Sequence, residues 1–223
     1  MIFDQQNYDQ YTAGDLEKWS VLFMQQMIFS KTEAYRHFRG NLKKLGLSAE
    51  RIPEISRTNN LLELATGWNM YPQPDLLTEN LFFRLMTFKR FGVSTRIPEM
   101  FTDVFGYAPL LADPLIASFA QGLGSIAERH FYKDTVMEAV SRLFGFTLSC
   151  GLVKEGNEIK IFGGRALSSP EESRSMLTPQ TKRRPFKLGR VLDTPFVKDG
   201  PQRVYFVLES LGQLREILKE FDA

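Results

Sequence analysis

Apolar side chains recur every three or four positions up to about residue 150, and from residue 151 the period drops to two. This change of period constrains the chain more than any other feature, because it demands a helical body followed by a small sheet. Residues 15–29 carry the first helical stripe, Leu16, Trp19, Leu22, Phe23 and Met27. Residues 32–45 carry the second, Tyr35, Phe38, Leu42 and Leu45, closed by Gly46. Ser48 caps a short turn limited by Pro53, and residues 58–65 predict a short helix stopped by Gly67. A strongly apolar helix is expected over 78–91, with Thr78 as N-cap and Gly92 as stop. Pro98 suits the first turn of a helix that Gly106 ends, and two longer helices are expected at 114–131 and 134–150.

Residues 152–154 and 159–162, joined by Glu155-Gly156-Asn157, then predict a hairpin. Residues 186–191 and 204–208 read as further strands, and Ser210 with Gln213 makes a capping box for a last helix over 211–221. The expected class is α+β and mostly helical, with a small C-terminal β-sheet, in a single domain over 1–223.

Composition bounds the function. Of the 223 residues 43% are hydrophobic and 19 are Phe, enough for a core and an aromatic-lined cavity. A net charge of +2 gives no reason to expect nucleic acid as a partner, and the basic run Lys182-Arg183-Arg184, with Lys187 and Arg190, reads as a solvated loop. The lone Cys150 cannot form an internal disulfide, which suits a reducing compartment. The N-terminus has no secretory pattern, and no apolar run reaches the ~20 residues of a membrane span, so a soluble, cytoplasmic protein is expected. There is no P-loop, dinucleotide fingerprint or Ser-His-Asp arrangement.

Several segments resemble, in order, those of the pterin-dependent aromatic amino acid hydroxylases. They are YTAGDLEKWSVLFMQQ (11–26), KLGLSAERIPEI (44–55), LATGW (64–68), GYAPLLADP (106–114), GLVKEGNEIKIFGGRALSSPEE (151–172) and the tail over 204–221. The resemblance implies that family's catalytic-domain fold. It also implies an iron site of two His and one Glu, and the matched positions hold Thr102, Tyr107 and Ser149. Those side chains are two hydroxyls and a phenol, and Fe(II) needs better ligands. His37 and His130, the remaining imidazoles, fall on no matched ligand position. No metal is therefore expected. The family's substrate-carboxylate segment is shortened here, with Thr95, Arg96 and Pro98 as its echoes. The resemblance places Leu76, Leu77, Thr78 and Phe82 against the pterin, with Asp75 and Asn80 where the family has Gly and Arg.

The candidate catalytic residues are Tyr107, Asp103 and Arg165. Tyr107 reads either as a filler hydrogen-bonded to Ser149 or Asp103, or as a general acid. Asp103 reads either as a solvated helix acid or as a proton carrier in a partly apolar pocket. Arg165 reads either as a partner of Glu172 or solvent, or as a bidentate carboxylate clamp. Thr102, Ser149, Ser168, Phe144 and Arg96 are the candidate substrate-binding residues, and Leu77 and Phe82 the candidate pterin contacts.

The leading expectation is a metal-independent enzyme or binder of an aromatic small molecule in specialised metabolism. It would work by proton transfer (cyclisation, isomerisation or elimination), with no required cofactor, pterin being allowed. One alternative is a pseudoenzyme that binds pterin or an aromatic ligand and works through a protein partner. Another is a residual iron- and pterin-dependent aromatic monooxygenase. A monomer or dimer is expected.

Overall fold

The computed structural model describes residues 6–73, 77–198 and 200–222. Thr12 starts α1 (Ala13–Glu33) with a reciprocal cap: Asp15 N–H donates to Thr12 Oγ1 at 3.2 Å and Thr12 N–H donates to Asp15 Oδ2 at 3.0 Å. The buried face of α1 is Trp19, Phe23, Gln26 and Ser30, spaced by four and three, while Leu16 stays partly exposed. The helix expected over 32–45 is broken. Ala34 leaves α1, bridges Ile161, and is followed by a Tyr35 N–H that donates to Ile161 O at 2.9 Å. Burial of Tyr35 at that junction outweighs helical continuity, and α2 (Phe38–Lys44) begins only afterwards.

α3 (Ile55–Thr66) ends on Gly67 at φ 78°, as a left-handed cap requires. The next stretch departs from the sequence reading. β1 (Asn69–Gln73) pairs in parallel with β2 (Arg90–Ser94), putting Met70 opposite Phe91 and Tyr71 opposite Gly92. α4 (Glu79–Thr87) lies between them, so Gly92 is a strand residue and not a helix stop. The buried alternation Phe91, Val93 is what the strand uses.

Residues 101–107 (Phe101–Tyr107) are π-helical and run directly into α5 (Ala108–Leu111). Gly106 therefore does not end a helix. Its missing side chain lets another segment approach: a Cβ there would lie 2.4 Å from the carbonyl oxygen of Gly164. Asp113 caps α6 (Pro114–Arg129), accepting from Leu115 N–H at 3.0 Å. α7 (Asp134–Phe144) passes into a second π-helical stretch, Gly145–Ser149.

The hairpin forms as expected, β3 (Leu152–Glu155) against β4 (Glu158–Ile161), turning at Gly156 with φ 63°. α8 (Gly164–Ser168) and α9 (Pro170–Leu177) follow. The strand expected over 186–191 is instead α10 (Leu188–Leu192), and β5 is the basic segment Lys182–Pro185. β6 (Val204–Leu208) completes a sheet of order β4-β3-β6-β5, with β5 at its edge. An edge strand half in solvent needs no apolar alternation, and its charges discourage further pairing, which is why the pattern hid it. α11 (Gln213–Asp222) closes the described chain, the Gln213 side chain accepting from Glu209 N–H at 2.9 Å.

The core is contiguous and rich in aromatic rings. Phe105 stacks on Phe101 at 4.6 Å between centroids and meets Phe23 and Phe38 edge-on at 5.2 and 5.5 Å. This cluster ties the first π-helical stretch to α1 and α2. Among the described residues no single helix is long and apolar enough to cross a membrane; the pair Phe101–Leu111 and Pro114–Arg129 reaches the length only with a 108° bend. The mostly helical α+β class with small sheets is the fold found.

Candidate functional site

A cavity of about 790 Å³ opens between α4, β2, the two π-helical stretches, α8 and the segment around residue 196. That volume lies in the range of small-molecule sites. Thr102, Asp103 and Tyr107 reach it from the first π-helical stretch, and Phe144, Gly145 and Ser149 from the end of α7 and the second. Residues five apart on an α-helix diverge, but a π-helix closes its turn over five residues, so Thr102 with Tyr107, and Phe144 with Ser149, share a face. Thr102, Tyr107 and Ser149 line one cavity, brought there by π-helical winding and not by a helix end at Gly106.

Four of the lining rings pack against one another and make an aromatic wall. Phe82 meets Phe91 at 5.4 Å and Phe144 at 5.2 Å, both edge-on, while Tyr107 lies 5.1 Å from Phe91 and 6.0 Å from Phe144. Such a wall is an apolar surface against which a flat ring can pack. Leu77 and Gln73 add to the wall, with Gln73 held over the bare Cα of Gly92, where a Cβ would collide with its amide at 1.7 Å.

The polar groups divide into free and engaged. Asp103, part-buried, accepts from Ser94 N–H through Oδ2 at 2.8 Å, while its Oδ1 has no partner among the described residues. Desolvation pushes its carboxyl up to about 7; the Ser94 hydrogen bond opposes this and the neighbouring Glu99 charge adds to it. Burial pushes the Tyr107 phenol well above its ordinary range, with Ser149 opposing, so it is a proton donor at neutral pH. Cys150 is buried behind Ser149 and desolvation pushes its thiol up to about 12, which leaves it no nucleophilic character.

Arg165 lines the cavity, but its guanidinium is committed elsewhere. It donates to the carbonyls of Val197, Lys198 and Gly200 at 3.4, 2.6 and 3.3 Å, and stacks over Phe196 at 5.2 Å. Its Nη2 lies 3.5 Å from Glu172 Oε2. This favours the pairing with Glu172 over the carboxylate clamp. Glu172 also accepts from Tyr205 O–H at 2.7 Å. Ser168 is buried and donates to Arg165 O at 3.0 Å; it is not part of the cavity wall. Arg96 is exposed at the wall, and Leu77 and Phe82 face the cavity, whereas Asp75 and Leu76 lie outside the described residues. His37 pairs with Asp113 at 2.9 Å, away from the cavity. Phe91, Gln73, Ser94, Glu99, Phe196 and Lys198 were not anticipated; the alternation of Phe91 and Val93 was the one available signal.

Among the described residues no three His, Cys, Asp or Glu side chains gather as a metal-holding group. Two hydroxyls, a phenol and one carboxyl do not fit an iron held by two imidazoles and a carboxylate.

Residues 4–223 match the model of the biopterin-dependent aromatic amino acid hydroxylase family. The chain is 33% identical to a phenylalanine-4-hydroxylase of Vibrio cholerae, over 89% of this chain and 72% of that one. It is 29% identical to the enzyme of that name in Pseudomonas aeruginosa, over 97% and 86%. It superposes on the iron- and phenylalanine-bound crystal structure of phenylalanine hydroxylase from Chromobacterium violaceum with a TM-score of 0.91 and 28% identity, covering 99% of this chain and 87% of that one. These likenesses overturn the expectation of a metal-independent, cofactor-free enzyme working by proton transfer with a lost metal site. That expectation weighed three matched positions alone; the relatives match over the whole chain, and one of them holds iron and phenylalanine.

Proposed function

The chain belongs to the biopterin-dependent aromatic amino acid hydroxylase family, and from that premise we propose that it is a pterin-dependent monooxygenase whose aromatic substrate binds in the cavity described above. The aromatic wall made by Phe82, Phe91, Tyr107 and Phe144 carries this reading, because it offers a flat ring an apolar surface inside the cavity. A pterin is itself a flat heteroaromatic system, and Leu77 and Phe82 are the residues that would hold it, by dispersion and edge contacts. When bound, a reduced pterin supplies the electrons for oxygen activation. The aromatic cavity, the family and the iron- and phenylalanine-bound relative support this function.

The chain's own groups bind and orient. The aromatic wall packs against the ring, Tyr107 offers a hydroxyl in the same cavity, and Asp103 can hold or release a proton near neutrality. The test is to supply the purified protein with ferrous iron, a tetrahydropterin and L-phenylalanine in air, then follow binding by calorimetry and hydroxylated product by mass spectrometry. Binding with pterin-dependent product is expected. Absence of both would overturn the reading.

A further inference from the structure

Six charged side chains line the cavity: Arg96, Arg165, Lys198, Glu79, Glu99 and Asp103. Two of the cations are already used. Arg165 holds three carbonyls and Glu172, and Lys198 Nζ is 3.2 Å from Glu79 Oε2. Arg96 and Glu99 are both exposed, where an ion pair in water is worth little. The acids differ. Glu99 and Asp103 stand four positions apart on one helical run, like charges that disfavour each other, and Asp103 keeps one carboxylate oxygen unpartnered at the cavity wall. The free oxygen of Asp103, in the same cavity as the aromatic wall, is placed to attract a cation.

We propose that Asp103 is a specificity-determining residue that receives the ammonium group of the aromatic substrate, so that the cavity selects aromatic amines and amino acids over aromatic acids that lack an amine. A ligand N–H donates to Asp103 Oδ1 while Ser94 N–H holds Oδ2 in place. The inference rests on the proposed binding of an aromatic substrate in this cavity and names the part of that substrate the protein reads.

Calorimetry with 2-phenylethylamine, L-phenylalanine and 3-phenylpropionate tests it, on the native protein and on Asp103→Asn and Asp103→Glu. In the native protein the two amines should bind at least about tenfold more tightly than the acid. Asp103→Asn, which keeps an acceptor for Ser94 N–H and whose folding is checked by thermal melting, should abolish that preference; Asp103→Glu should retain part of it. Equal or tighter binding of 3-phenylpropionate by the native protein, or an unchanged preference in Asp103→Asn, would overturn the role of Asp103 while leaving the aromatic site intact. If none of the three ligands binds, the aromatic-substrate reading and this inference fall together.

Discussion

Asp103 ties the charge state of the cavity to the stability of the protein. Its folded carboxyl sits near 7, above the ordinary value of 3.8, so between those values the folded chain keeps a proton that the unfolded chain loses. The favourable contribution is complete below the unfolded value and is lost as the pH rises through the folded one. Asp103→Asn removes that loss. Its melting temperature relative to the native protein should therefore climb between pH 5 and pH 8, and parallel melting curves across that range would contradict the assignment. Tyr107 makes a separate test. Tyr107→Phe keeps the ring in the aromatic wall and deletes only a hydroxyl, so aromatic ligands should still bind within about threefold while product formation drops by about tenfold or more. Equal losses in both would mean that the hydroxyl serves packing alone.

Elements meet closely at two points that position the site. At Gly106 the π-helical stretch touches the backbone of α8, and a methyl there would reach the Gly164 carbonyl at 2.4 Å. Backbone cannot yield as a flexible side chain can, so Gly106→Ala should cost about 1–3 kcal/mol in denaturant unfolding and weaken ligand binding by shifting Tyr107. The second is the Arg165–Glu172 pair, whose side chains are 21% and 6% exposed and which links α8, α9 and the segment at 197–200. Removing the cation strands a buried carboxylate, so Arg165→Met should destabilise by roughly 3–5 kcal/mol. Arg165→Lys should recover little, because one ammonium cannot serve three carbonyls in a fork. A neutral result for Arg165→Met would show that the pair contributes nothing to holding the wall.

Across the whole molecule the aromatic rings link helices and sheet into one core. Trp19 and Trp68 are both fully buried, one against Phe101 and the other beyond α3. Tryptophan fluorescence and far-ultraviolet circular dichroism should therefore report one coincident unfolding transition. Two separated transitions would split the domain.

Much of the architecture was legible because periodicity reports burial directly. The apolar stripe of α1, the hairpin at Gly156, the strand over Val204–Leu208 and the order of matched segments all follow from local chemistry. Of the candidate residues, Thr102, Asp103, Tyr107, Phe144, Ser149, Leu77, Phe82, Arg96 and Arg165 line one cavity, whereas Ser168 does not. What local chemistry could not decide were the features that depend on a distant partner. The pairing of β1 with β2, the break at Tyr35, the basic edge strand and the engagement of Arg165 are each decided by a segment far along the chain. The sequence by itself determined the helical body, the small sheet and the aromatic stock of the cavity, since these depend on residue type and short-range spacing. Only the tertiary structure decided which way the side chains point, because two π-helical stretches rotate the faces that a residue count would assign, and because a cation's availability depends on the carbonyls folded around it.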